Sequence, residues 1–136
     1  GQKNKSTKFY CSKKEIENEF DLILIICVLH HIKPKEWNRN ISFLKEKLSS
    51  NGTLILIEHN PLNPITRRLV ATCPFDKDAV LIRKSKLNNI LKRSNFKSIE
   101  SEYCLFFPQQ FSFLNVMERY LKNIPIGGQY LVMARK

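Results

Sequence analysis

Phe20-Asp21-Leu22-Ile23-Leu24-Ile25-Ile26-Cys27-Val28-Leu29-His30-His31-Ile32 is the stretch that decides the fold. From Phe20 to Leu29 it is nearly continuous Leu, Ile, Val and Cys, the pattern of a strand covered on both faces in a parallel sheet. Its apolar part, Leu22 to Leu29, is far shorter than the ~18 to 20 residues a membrane-spanning helix needs. It therefore reads as a buried strand.

Downstream, Pro34 stands where a helix can begin, and Trp37, Ile41, Phe43, Leu44 and Leu48 recur at helical spacing, which predicts a helix running to Ser49. Asn51-Gly52 marks a turn, and Thr53 to Glu58 forms a second buried strand ending in the polar cluster Glu58-His59-Asn60-Pro61. Open α/β sheets place their chemistry at such strand ends. Ile65 to Thr72 reads as a short helix and Cys73-Pro74-Phe75-Asp76 as a loop. Ser85 is the expected N-cap of a helix reaching Ser94, with Leu87, Ile90 and Leu91 on one face. Phe96 to Phe107 follows as a strand region closed by Pro108. Phe111, Leu114, Met117 and Leu121 make a helical stripe, and Gln129 to Ala134 a last strand. Upstream, Lys8 to Cys11 predicts a short strand, and Ser12 to Glu19 a charged connection. Strands alternating with helices argue for an α/β fold, a mostly parallel sheet with flanking helices.

A chain of 136 residues, 43% hydrophobic, holds one core and is treated as a single domain over residues 1–136. The net charge of +11 raises the question of nucleic acid, but Lys and Arg are spread over the N-terminal segment, two helices and the C-terminus without a nucleic-acid-binding signature. A solvated basic surface is the expectation. Cys11, Cys27, Cys73 and Cys104 form no CxxC pair and lack zinc-motif spacing with His30, His31 and His59, so reduced, unliganded thiols and no metal are expected. No apolar signal segment follows the Lys-rich start, which leads to a cytoplasmic expectation.

Phe20-Asp21-Leu22-Ile23 with Val28-Leu29-His30-His31-Ile32 resembles the fourth strand of class I, Rossmann-like, S-adenosylmethionine-dependent methyltransferases. Leu48 to His59 is similar to the next helix end, turn and fifth strand of that family, with Asn51-Gly52-Thr53 where Pro-Gly-Gly is commoner. Ser85 to Phe96 resembles a later helix, with Asn95 in place of the usual Gly, and Gly128 to Lys136 the closing antiparallel strand. The resemblance implies family strand order three, two, one, four, five, seven, six. It makes Lys8 to Cys11 the third strand and puts the first two, with the glycine-rich cofactor loop, upstream of Gly1. Neither that loop nor the acidic residue that holds the ribose hydroxyls has a counterpart here. Without strands one and two, the strand at Phe20 becomes a long apolar edge, an aggregation hazard. A C-terminal half of a methyltransferase domain, inactive in isolation, is the expectation.

The same resemblance implies S-adenosylmethionine as cofactor and a small-molecule methyl acceptor. It sets Cys11 and Ser12 against the adenine and Cys27 and Leu29 along the methionine part, unless these two are simply core; of His30 and His31, one faces the cleft and the other caps or packs, with His30 the cofactor candidate. Methyl transfer is an in-line displacement that needs alignment and exclusion of water, with a base only where the acceptor must lose a proton. His59 is the candidate base, with Glu58 and Asn60 as neighbours able to orient it or the substrate; the alternative is that the cluster only fixes the chain's exit from the sheet. Tyr103, Phe106, Phe107, Phe111, Phe113 and Tyr120 either line an acceptor pocket or belong to the core. Two rival functions remain beside methyl transfer, a basic nucleic-acid-binding α/β module and a non-catalytic interaction domain.

Overall fold

The structure, a computed structural model, describes residues 8–17, 19–107 and 115–136. Four strands form one sheet: β1 (Phe20–Ile26), β2 (Leu48–His59), β3 (Ser98–Cys104) and β4 (Gln129–Arg135), in the order β1-β2-β4-β3. β1 lies parallel to β2, and β4 is antiparallel to both β2 and β3. Hence β1, β2 and β3 run one way with β4 reversed between β2 and β3, as the family resemblance implies. The helices are α1 (Trp37–Glu46), α2 (Pro64–Thr72), α3 (Lys84–Arg93) and α4 (Asn115–Leu121). No helix among the described residues is long and apolar enough to cross a membrane.

Alternation along the strands sorts side chains to two faces. Leu54 and Leu56 of β2, with Tyr130, Val132 and Ala134 of β4, point to the face covered by α1 and α3 and pack against Trp37, Ile41, Ile82, Leu87 and Leu91. The opposite face carries Leu24 beside Ile55 beside Met133, and Ile26 beside Ile57 beside Leu131. Leu22, Leu24 and Ile26 there are 56%, 51% and 51% exposed. One face of the sheet is thus a finished core and the other an apolar surface.

Several local expectations are corrected. Lys8 to Cys11 is not a strand but leads into a 3-10 turn at Lys13–Glu15, with Phe9 exposed. A strand needs a ladder partner, and among the described residues none lies beside it. The helix after Pro34 opens as a 3-10 turn, Pro34–Glu36, and ends at Glu46 because Leu48 already belongs to β2. Asn51-Gly52 does not separate two elements. It forms a bulge inside β2, where Phe20 pairs with Leu48 and Leu22 with Thr53, two steps on β1 against five on β2. A Cβ at Gly52 would lie 2.9 Å from the Phe20 carbonyl oxygen and 3.0 Å from that of Ser49, so only glycine lets the backbones close there. α3 starts one residue ahead of Ser85, after Arg83, with no side-chain cap. α2 has the cap that α3 lacks: Asn63 accepts from the Thr66 N–H, and Pro64 occupies the first turn. Phe111 and Leu114 of the expected stripe, Phe113 and Pro108 lie outside the described residues.

Candidate functional site at the C-terminal end of the sheet

Because β4 is reversed, the ends of β1, β2 and β3 meet its start, bringing Cys27–His31, His59–Asn60, Cys104–Phe106 and Gly127–Gln129 to one edge. The chain leaves β1 at Cys27 with φ 52°, a left-handed conformation uncommon for a side chain of this kind. It then makes a 3-10 turn over Leu29–His31.

That turn is held by Glu58. Its Oε1 accepts from the N–H groups of Val28 at 3.0 Å and Leu29 at 2.7 Å, and its Oε2 pairs with His30 Nδ1 at 2.7 Å. Glu58 is 0% exposed and His30 1%. A buried carboxylate persists only when donors surround it, and these three surround Glu58. Period-two alternation places Glu58 on the same face as Leu54 and Leu56, away from His59. It therefore orients the exit of β1 rather than His59, which corrects one of the roles expected for it. Leu29 is a core residue, and its carbonyl oxygen accepts from the Trp37 indole at 2.9 Å.

Asn60 fastens the other side. Its Nδ2 donates to the carbonyl oxygens of Gly127 at 2.7 Å and Pro125 at 3.1 Å, its Oδ1 accepts from Leu62 N–H, and its own N–H donates to Gly128. Gly127 permits this approach, since a Cβ there would meet the Cys104 carbonyl oxygen at 2.5 Å. For Glu58 and Asn60 the loop-fixing role is thus realised.

His59 is half-buried, on the open face of the sheet, and pairs in register with Gln129, whose side chain reaches the Cys27 sulfur at 3.5 Å. Its ring lies 5.1 Å from that of His30, centroid to centroid. Burial first, then the neighbouring His30, push the His59 imidazole below the ordinary histidine value. It is neutral at neutral pH and able to take a proton. Burial, and then Glu58, raise the Cys27 thiol; burial, then Glu118, push Cys104 up to about 11. Both are thiols rather than thiolate nucleophiles.

Beyond the turn, His30 Nε2 and His31 Nε2 stand 3.5 and 3.4 Å from Asp76 Oδ1, which projects from a 3-10 turn, Pro74–Asp76, between α2 and α3. Cys11 and Ser12 are not gathered with these groups. Their partners are Glu15, Lys14 and, through Lys13, Asn40 of α1; none belongs to the exits of β1 or β2. Of the aromatic residues, Phe106 and Phe107 line a cleft of about 350 Å³ with Ile65, Leu69 and Leu105. Tyr103 is instead a core residue, edge-on to Tyr130, and Tyr120 is exposed.

From the sequence Glu58 could either orient its neighbours or fix the chain's exit, and Asp76 was only part of a loop. The alternation Leu54-Leu56-Glu58 was the available signal for the first. Asp76 sits in a loop whose path no spacing predicts.

No family model matches the chain, and no curated protein matches its sequence. Solved structures do match. An S-adenosylmethionine-dependent methyltransferase from Archaeoglobus fulgidus superposes with TM-score 0.68 at 15% identity, over 88% of this chain and 60% of that one. Another from Mesorhizobium loti gives 0.59 at 23%, over 88% and 62%. Phosphoethanolamine N-methyltransferase 2 from Haemonchus contortus, solved with S-adenosyl-L-methionine, gives 0.58 at 17%, over 93% and 36%. The chain has the fold of these methyltransferases and spans about three-fifths of the length of the first two.

Proposed function

We propose that the protein containing this chain transfers a methyl group from S-adenosylmethionine to a small-molecule acceptor, and that this chain forms one wall of its site. The observation that carries the reading is the sheet order β1-β2-β4-β3 with β4 reversed, joined to polar residues gathered at the ends of β1 and β2. The three solved methyltransferases named above, which share this fold, are described by their dependence on, or complex with, the same cofactor.

The residues present fit half of such a cofactor's surroundings. The left-handed turn at Cys27, the side chain of Gln129 and the apolar face of Leu24, Ile26 and Ile57 offer a shaped, partly apolar wall. Glu58 cannot hold a ribose, because Val28, Leu29 and His30 already occupy its oxygens. When bound, S-adenosylmethionine supplies a methyl carbon activated by the sulfonium. The chain's own part is to exclude water with the apolar face and to offer neutral His59 as proton acceptor to a hydroxyl or acidic-carbon acceptor. The acceptor side is the cleft beside Phe106 and Phe107, whose apolar lining suits a small molecule with a hydrophobic body.

Half a site predicts weak binding. An intact micromolar site rests on about 8 kcal/mol, and each ~1.4 kcal/mol lost weakens it tenfold, so one wall falls to millimolar or weaker. Calorimetric titration of the isolated 136 residues with S-adenosylmethionine, after circular dichroism has established folding, measures this. Micromolar binding would mean a complete pocket and end the half-site reading. The same titration on a longer protein carrying a glycine-rich segment should reach the micromolar range, and its failure there would end the methyltransferase reading.

A further inference from the structure

We infer that His30, His31 and Asp76 form a binding site for a zinc-class divalent cation, independent of the cofactor reading above. The first ground is distance. His30 Nε2 and His31 Nε2 lie 3.5 and 3.4 Å from the same Asp76 oxygen, and all three ligand atoms fall within 4.8 Å of one another. These separations exceed the ~2.7–2.9 Å of a charge-assisted hydrogen bond. The two His–Asp separations match the edge of a tetrahedral site: metal bonds of ~2.0–2.2 Å at the tetrahedral angle set neighbouring ligands ~3.3–3.5 Å apart. An octahedral magnesium site would draw them to ~2.9–3.0 Å and would favour oxygen over imidazole.

The second ground is what holds the His30 ring. Its Nδ1 faces the buried Glu58 carboxylate at 2.7 Å, and Glu58 Oε1 is already filled by two backbone N–H groups. Glu58 thereby fixes the ring so that Nε2 faces the Asp76 carboxylate at 3.5 Å. The carboxylate–histidine pair is also the arrangement that fixes the tautomer and raises the basicity of a histidine bound to a metal.

The third ground is access. His30 is 1% exposed at its side chain and Asp76 14%, whereas His31 is 45% exposed. The inner two ligands are buried or nearly so and the outer one stands at the surface, so the site opens to water on the His31 side. Three protein ligands with one open position is the composition of an exchangeable zinc site rather than of a closed structural one. A bound ion would tie the exit of β1 to the α2–α3 connection, beside the His59 ring.

Zn²⁺ binding to the purified protein, by calorimetry and thermal melting in a non-chelating buffer, tests the site. One equivalent should bind with micromolar or tighter affinity and raise the melting temperature, because the ion stabilises only the folded state. His31→Ala and Asp76→Asn, one exposed and the other isosteric, should each weaken binding on the order of 100-fold while leaving the metal-free melting temperature nearly unchanged. Substituting Co²⁺ distinguishes the ligands: the site predicts tetrahedral visible bands without thiolate charge-transfer absorption. Absence of binding below ~100 μM would overturn the inference. So would undiminished affinity in both variants, or a thiolate band that persists in them, which would assign the ion to the cysteines.

Discussion

At the scale of single residues, Glu58 and His59 are adjacent in sequence and opposite in role, because a strand sends them to opposite faces. Removing Glu58 leaves two N–H groups and the His30 ring without their acceptor at a largely buried position. Glu58→Ala should therefore lower stability by about 3 to 5 kcal/mol in urea denaturation. Glu58→Gln keeps one acceptor oxygen for Val28 and Leu29 and should lose markedly less. Equal losses in the two variants would show that side-chain volume, not hydrogen bonding, matters there. His59 touches the open face, so His59→Ala in the methyltransferase proposed above should leave folding unaffected and lower turnover by about tenfold or more at saturating acceptor, if it takes the acceptor's proton. An unchanged rate would remove His59 from the chemistry while leaving the fold assignment standing.

At the scale of elements, what was legible in the sequence follows from how local each signal is. The runs Leu22–Leu29 and Leu54–Ile57 announce parallel strands because nothing polar interrupts them, although β1 lies at the sheet edge with one face exposed instead of covered on both, and the reversed closing strand followed from the family resemblance. Lys8–Cys11 has an equally apolar look, yet a strand is defined by its partner, and propensity carries no information about partners. Asn51-Gly52 reads as a turn by composition, but here it is the bulge that lets Leu48 and Thr53 both pair with β1. The site was legible only in part for the same reason: His59 and His30 could be placed from strand ends, whereas Asp76 arrives from a distant loop. The bulge itself is testable. Gly52→Ala forces a methyl group to within 2.9 Å of the Phe20 carbonyl, where backbone and not a pliable side chain must yield. A loss of ~1 to 3 kcal/mol is expected in equilibrium unfolding, and a neutral result would mean that the β1–β2 register is softer than the close contact implies.

At the scale of the whole molecule, the asymmetry of the sheet is the dominant fact. The covered face is packed with residues at or near zero exposure, while Leu22, Leu24, Ile26, Ile55, Ile57, Leu131 and Met133 line the other. Contiguous apolar surface of this kind marks a place that another protein segment covers, or an aggregation liability. The two cases give opposite signs for one substitution. In the isolated 136 residues, Leu24→Lys puts a charge on a wet surface and leaves the α1–α3 core untouched. Stability should stay within ~0.5 kcal/mol, and sedimentation velocity should show a larger monomer fraction than the unsubstituted chain. In a longer protein whose own segments cover this face, the same lysine enters a packed interior without a partner. It should then lower stability by several kcal/mol, the range expected for burying an unpaired charge. Self-association unchanged in the first experiment would mean that the face does not drive contact between copies. Unchanged stability in the second would mean that the face stays in water in the native protein, so that the sheet is complete as a one-sided structure.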